Sequence, residues 1–186
     1  MSTRRLVWLG GTFGAGKTTT GRLLVERAPG LRLFDPEWVG FLLREHLADR
    51  IAAEGITDFQ QLPSWRRLVP VVAAELADAT GQALVAVQSV LVEDYWRELR
   101  AGLEADGFEV VHLLLHADDA TLRRRIEGDR VEAGARDWRL RHLAAYDAAR
   151  PWLHATADLV LDTTDLTPDE VAGRVLGHVG WGSTEV

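Results

Sequence analysis

The sequence predicts an α/β fold, a five-stranded, mainly parallel, doubly wound sheet with helices on both faces. Three observations predict it. Apolar runs of strand length alternate with amphipathic helical patterns along the whole chain, as strand-helix-strand crossovers require. The longest apolar run, residues 83–92 (ALVAVQSVLV), does not alternate with polar residues, which fits a central strand covered on both faces. The first strand pattern leads through a glycine-rich turn into a helix, the arrangement that places a crevice at the carboxyl end of an open sheet.

Taken in order, residues 5–9 (RLVWL) read as a buried strand, and residues 16–28 as a helix stopped by Pro29 and Gly30. Residues 31–34 form a short second strand. A helical pattern over residues 36–53 follows, with Val39, Leu42, Leu43, His46, Leu47 and Ile51 on one face, and Gly55 ends it. Residues 64–79 carry Trp65, Leu68, Val69, Val72 and Leu76 at helical spacing, with Pro70 expected to kink or divide the helix. After the third strand at 83–92 come a helix over 93–105 and a fourth strand over 110–116. Asp118 or Asp119 caps an arginine-rich helix ending near Gly128. Residues 129–136 read as a mobile loop, and Asp137 caps a helix to Ala149 with Pro151 beyond it. Residues 159–161 are the fifth strand, and Thr167-Pro168-Asp169-Glu170 is a capping box opening a last helix to about Leu176.

Composition limits what such a fold does. With 186 residues, 47% of them hydrophobic, one domain over residues 1–186 is expected. The net charge of -7 argues against a general nucleic-acid binder, whose affinity needs concentrated positive charge. No cysteine is present, so disulfides, thiolate metal sites and thiol nucleophiles are excluded, and a reducing cytoplasm is the expected setting. Arg4 and Arg5 before a short apolar run resemble a secretory signal only superficially, because glycines and Lys17 interrupt it. No apolar stretch approaches the roughly 20 residues that span a bilayer, so no integral membrane contact is expected. Among 21 basic residues, Lys17 is the single lysine, and it stands in the glycine-rich turn, where a compact ammonium suits phosphate better than a guanidinium fork.

That turn, Gly11, Thr12, Phe13, Gly14, Ala15, Gly16, Lys17, Thr18, matches G-x-x-x-x-G-K-[ST] in full. Its glycines let backbone N–H groups converge on a phosphate chain, and the following helix adds its positive dipole end. Lys17 is expected on the β and γ phosphates of ATP and Thr18 on Mg2+, with Thr19 beside them. The fold class is accordingly a P-loop NTPase.

Asp35 follows the second strand, so it projects toward the same crevice, as a base for a substrate hydroxyl or as a ligand of Mg2+. Asp35-Pro36-Glu37 is equally a good helix start, with Asp35 as cap. The third strand ends in Gln88-Ser89 without the aspartate that many P-loop enzymes place there for magnesium. Gln88 and Ser89 either orient water and substrate or are plain strand-end polar residues. Eight of the 20 arginines lie between residues 121 and 150. Most read as a solvated helix face, but a lid near residues 123–141 is expected to use Arg125 and Arg130 on the nucleotide or the transferring phosphoryl group. Trp65 is at core spacing with Leu68 and Val72, yet it and Arg66 lie in the segment able to roof an acceptor pocket. His112 and His116 read as structural, and Trp138 as core or acceptor contact alike.

Residues 7–18, the run Phe34-Asp35-Pro36-Glu37 with Gly40, Asp58-Phe59-Gln60, Pro63, Trp65-Arg66, Arg125, Trp138 and Asp162-Thr163-Thr164 together resemble the tunicamycin-resistance ATP-binding proteins, over nearly the whole chain. More distantly the chain is similar to chloramphenicol phosphotransferase and the zeta-toxin type kinases. The resemblance implies Asp35 as the base and places Asp162, Thr163 and Thr164 near the adenine. The membrane contact attributed to a C-terminal extension in that family is not carried over, since only residues 177–186 follow the last expected helix. The expected activity is transfer of the ATP γ phosphate to a hydroxyl of a small molecule, an antibiotic such as a tunicamycin-like nucleoside. The rivals are a kinase of nucleosides, sugars or shikimate-like metabolites, and a protein that sequesters a drug with ATP but without turnover. A monomer or homodimer serves any of these.

Overall fold

The structure, a computed structural model, describes residues 4–129 and 136–181. Strands β1 (Arg4–Gly10), β2 (Leu31–Phe34), β3 (Ala83–Val87), β4 (Phe108–His116) and β5 (Leu159–Asp162) form one sheet in the order β2-β3-β1-β4-β5. Every pairing is parallel, with Leu6 opposite Leu84 on one side and Val110 on the other. The central position of β1 explains its sequence. Leu6, Val7, Trp8 and Leu9 are all buried, because successive side chains point to opposite faces and both faces are covered.

Helices α1 (Lys17–Arg27), α6 (Asp119–Gly128) and α8 (Pro168–Val179) cover one face, where Val7, Leu9, Val85, Leu113 and Leu161 meet Leu24, Ile126 and Val175. Helices α2 (Glu37–His46), α4 (Pro63–Thr80) and α5 (Glu93–Ala105) cover the other, where Leu6, Trp8 and Ala86 meet Val39, Leu43, Trp65, Val69, Trp96 and Leu99. Helix α7 (Arg136–Thr156) takes part in both layers, Leu143 in the first and Tyr146, Ala149 and Leu153 against Leu114 of β4.

Five boundaries differ from those the sequence suggests. The pattern over residues 36–53 is two helices, α2 and a short α3 (Ala48–Ala53), joined at Leu47. Only Val39, Gly40 and Leu43 of α2 are buried, and Leu42 is turned outward at 55% exposure. Strand β3 ends at Val87, because Gln88 leaves the ladder after one last bond from its N–H to Leu9 O (3.3 Å). Pro70 does not divide α4, which runs unbroken for 18 residues. Its ring lies where a Cβ on Gly102 of α5 would come within 2.8 Å, so the absent side chain of Gly102 makes room for it. Pro151 likewise sits inside α7 instead of ending it, and Leu153 beyond it is buried. The last helix extends past Leu176 to Val179.

The caps expected at Asp118 and at Thr167 are present, whereas Asp137 lies within the first turn of α7, which includes Arg136 before it, and so does not cap it. Asp118 accepts from Thr121 N at 2.6 Å, and Thr167 with Glu170 forms the reciprocal box that opens α8.

Candidate functional site

The turn from β1 into α1 has a shape that its sequence dictates. Gly11, Gly14 and Gly16 have φ of 132°, 78° and 96°, the left-handed region that side chains disfavour. A Cβ on Gly11 would also stand 2.4 Å from Leu115 O, so the loop lies directly on β4. At Gly16, nothing lies within 4 Å of where a Cβ would be, and the residue is exposed. The N-terminus of α1 therefore opens outward with its N–H groups available to an anion. Thr18 and Thr19, on the first turn, are exposed, and Thr12 is buried.

Lys17 is half-buried and donates from Nζ to Thr12 O at 2.9 Å, 5.6 Å from the Phe13 ring centroid. Burial pulls its ammonium down to about 8; the Glu37 carboxylate opposes that shift and the Arg139 guanidinium adds to it. A depressed ammonium beside a second cation is poised to gain from a polyanion.

Asp35 lies at the carboxyl end of β2 and is half-buried. Its Oδ1 accepts from Glu37 N at 2.9 Å, so it does cap the start of α2. Burial raises its pKa above the ordinary carboxylate value, and the bond from Glu37 partly offsets that. Asp35, Lys17, Thr18, Thr19, Gln88 and Ser89 all line one cleft of about 1300 Å³.

Gln88 and Ser89 are wired into the cleft's framework. Ser89 donates from Oγ to Gly11 O at 2.5 Å, and Gln60 donates from Nε2 to Ser89 O at 2.8 Å. Trp8 donates its indole N–H to Gln88 O at 3.0 Å. Gln60 belongs to a 3-10 turn, Phe59–Gln61, that Asp58 caps by accepting from Gln60 N at 2.9 Å.

Trp65 does not reach the cleft. It is fully buried and donates its indole N–H to Pro36 O at 3.0 Å, so its helical spacing reports core, and a direct substrate contact is ruled out. Arg66, 8% exposed, is also behind the wall and not on it: it pairs with Glu98 at 2.6 Å, donates to Gln60 O and lies 4.2 Å over the Tyr95 ring. The cleft-facing residue is Tyr95.

On the other side, Arg125 lines the cleft but is committed to the frame, donating to Gly14 O (3.2 Å), Thr163 O (2.7 Å) and Thr163 Oγ1 (3.1 Å). It clamps the phosphate loop to the end of β5. Thr163 is buried at the cleft margin, whereas Asp162 is exposed and Thr164 donates from its N to Asp162 Oδ1 at 2.9 Å, neither lining the cleft. Arg130 lies outside the described residues, as does most of the loop over 129–136.

Several cleft residues were not singled out by the sequence, and Trp138, which it read as core or acceptor contact alike, packs among them. Arg139 lies 5.4 Å from the Phe13 centroid and pairs with Asp129 at 2.6 Å. Trp138 meets Phe13 edge-on at 4.9 Å, and His142 lies 5.7 Å from that ring. A bulky aromatic at the third position of a phosphate loop, with Trp138 and His142 four residues apart on one helix, was the available signal. Phe41 and Arg44 were equally unmarked, and Phe59 was marked only by the family resemblance. His112 and His116 are structural, as read. His112 is buried against Trp96 with its pKa pushed down to about 4 by burial, and His116 Nδ1 bonds the Tyr146 hydroxyl at 2.9 Å.

The AAA domain family model matches residues 6–153, which include the loop, Asp35, Ser89 and Arg125. The chain belongs to the AAA domain family. A shikimate kinase of Thermosynechococcus vestitus is 32% identical over 178 residues, covering 91% of this chain and 87% of that protein. The tunicamycin resistance protein of Deinococcus radiodurans superposes with a TM-score of 0.70 at 29% identity, covering 95% of this chain and 96% of that one. APS kinase of Mycobacterium tuberculosis, in complex with AMPPNP and APS, shares the fold with a TM-score of 0.65 at 17% identity, covering 97% and 99% of the two chains. The resemblance to tunicamycin-resistance proteins thus holds, and small-molecule kinases are among the relatives.

The residues present fit ATP and Mg2+. Three positive-φ glycines, an open helix N-terminus and Lys17 make a phosphate cradle. One hydroxyl, Thr18, and one carboxylate, Asp35, suit a magnesium ion that keeps several waters. Among the described residues no group of three or more His, Asp or Glu forms a dedicated metal site, nor is any helix long and apolar enough to cross a membrane.

Proposed function

We propose that this protein is an ATP-dependent phosphotransferase that moves the γ phosphate to a hydroxyl of a small molecule, an antibiotic such as a tunicamycin-like nucleoside. The single observation that carries this is the pairing, in one cleft, of the phosphate loop with a partly desolvated carboxylate at the end of β2. Phosphoryl transfer needs little covalent help from the protein. It needs positioning, charge stabilisation and a group to orient and deprotonate the nucleophile.

Lys17 and the loop N–H groups hold the phosphates, and Arg125 fixes the loop's attitude by clamping Gly14 and Thr163. Thr18 would hold magnesium, which when bound neutralises charge on the phosphates, and Asp35 would join it only where Asp35 is not the base. Asp35, with its pKa raised by burial, accepts the proton of the attacking hydroxyl more readily than a solvated carboxylate would. Arg139, next to Lys17 and against Phe13, is the described lid arginine placed to meet charge on the γ phosphate.

Incubation with γ-labelled ATP, Mg2+ and a panel of tunicamycin, nucleosides, sugars and shikimate tests the reading. Label is expected in an acceptor, and none should transfer with Asp35→Asn. A second reading, sequestration without turnover, is favoured by one observation: at the end of β3, where a metal-supporting carboxylate is common, Ser89 is instead bonded to Gly11 O. Tight ATP-dependent binding of an acceptor with no labelled product would select it.

A further inference from the structure

We infer that the acceptor is an uncharged hydroxyl compound bearing an apolar group, its hydroxyl at Asp35 and its apolar group on Trp38 and Phe41. This rests on the phosphotransferase reading and specifies the acceptor class that the reading leaves open.

The cleft, about 1300 Å³, exceeds the roughly 300–1,000 Å³ of a typical single-ligand site. Room therefore remains beside a nucleotide. Helix α2 starts directly after Asp35, so Phe41 stands six residues on, roughly 9 Å along a helix axis. Phe41 lines the cleft at 42% exposure and meets Trp38 edge-on at 5.7 Å, while Trp38 is 71% exposed. Leu42 beside them is 55% exposed. On the inner side Phe41 faces Phe59 at 6.5 Å, and Phe59 rests against Trp65 at 5.3 Å and on Gly40, where a Cβ would fall 2.5 Å from its ring. A series of aromatic contacts thus runs from Trp65 in the core, through Phe59 and Phe41 of the cleft wall, to the exposed Trp38 beside it. Contiguous exposed apolar surface marks binding, and its continuity with the cleft assigns it to the acceptor.

The charge on this wall selects against acidic acceptors. Asp35, Glu37 and Asp58 line it, against two guanidiniums, Arg22 of α1 and Arg44, the latter lying over the Phe41 and Phe59 rings at 6.0 and 5.7 Å. Carboxylate recognition uses an arginine fork free to bond in pairs. A carboxylate such as shikimate's would meet three like charges against the two guanidiniums, whereas a neutral hydroxyl compound finds acceptors for its O–H groups and a ring surface for its apolar part.

The test uses the full chain saturated with MgADP and titrates methyl, hexyl and octyl glucosides, below micelle-forming concentrations, by calorimetry. Shikimate is titrated in parallel, and sedimentation reports the oligomeric state. Affinity is expected to rise at least about tenfold from methyl to octyl, well below the value for full burial of the added methylenes, at one ligand per chain. The rise should vanish in Trp38→Ser/Phe41→Ser, with cooperative melting as the control, and shrink in Trp38→Gln alone, whose exposed site keeps the fold safe. A flat series in the wild type, a rise surviving in the double variant, saturable shikimate binding, or a dimer that the double variant dissociates would each overturn the inference. The two readings fail separately. Label entering shikimate removes this one and leaves phosphotransfer, whereas an intact chain-length series with no label in any acceptor does the reverse.

Discussion

The two ends of the cleft are built by opposite means. The phosphate end is eight consecutive residues whose path is fixed by glycines at φ of 132°, 78° and 96°, with Lys17 and Thr18 delivered by the helix they begin. The acceptor end is assembled from α2, the 3-10 turn at Phe59–Gln61 and the start of α5, tied by bonds between residues 29 to 32 positions apart: Trp65 to Pro36 O, Gln60 to Ser89 O and Arg66 to Glu98. Local chemistry fixes the first end. The second exists only when the core has formed, so it is the end that varies most easily in what it accepts.

Substitutions at the two ends should therefore fail differently. The largest effect is expected at the junction: Asp35→Asn keeps the bond from Glu37 N, since asparagine caps about as well as aspartate, but loses the proton acceptor. Turnover should fall on the order of a hundredfold or more while the melting temperature stays near wild type. Near-normal turnover would reduce Asp35 to a cap. At the phosphate end, Lys17→Ala should abolish productive ATP binding in a folded protein, measured by ATP titration alongside thermal melts.

Gly40→Ala addresses the acceptor end alone. The new methyl meets the Phe59 ring, and overpacking of this kind costs about 1–3 kcal/mol. The acceptor KM should rise with ATP affinity unchanged, and a matching loss of ATP affinity would show that the two ends are not separable. Ser89→Ala tests the bond that joins them. Losing the bond to Gly11 O is worth about 1 kcal/mol, so ATP and acceptor affinity should each weaken roughly fivefold. An effect on one alone would break the link.

The smallest expected effect is one of pH. Lys17 titrates at about 8 in the folded chain instead of near 10.5, so ATP affinity should be level up to neutral pH and decline above about 8. The same shift has a stability sign. A lysine whose folded pKa is lowered costs stability in full below about 8, and that cost fades as pH rises toward 10.5. Lys17→Met should therefore melt higher than wild type at pH 7 without nucleotide, and the gain should shrink at pH 10. A gain independent of pH would place its origin outside the charge.

The sequence by itself determined the succession of strands and helices along the chain, the covered faces of β1, the caps at Asp118 and Thr167 and the whole phosphate loop. Each of these depends on neighbours a few residues apart, through φ preferences, periodicity or a side chain reaching its own backbone. Tertiary structure alone decided where α2 breaks, why α4 and α7 run through Pro70 and Pro151, and which residues face the cleft. Pro70 is accommodated because Gly102, 32 residues later, leaves space for its ring. Arg66 reads as an acceptor contact until Glu98 and Tyr95 are seen to hold it behind the wall. Arg125 reads as a nucleotide contact until Gly14 and Thr163 are seen to claim its donors. Phe41, which carried no motif, faces the cleft because Val39, Gly40 and Leu43 take the buried side of the same helix. A residue's type is local, but whether its polar atoms are already satisfied depends on chain segments that meet only on folding, and that decides which groups remain for a ligand.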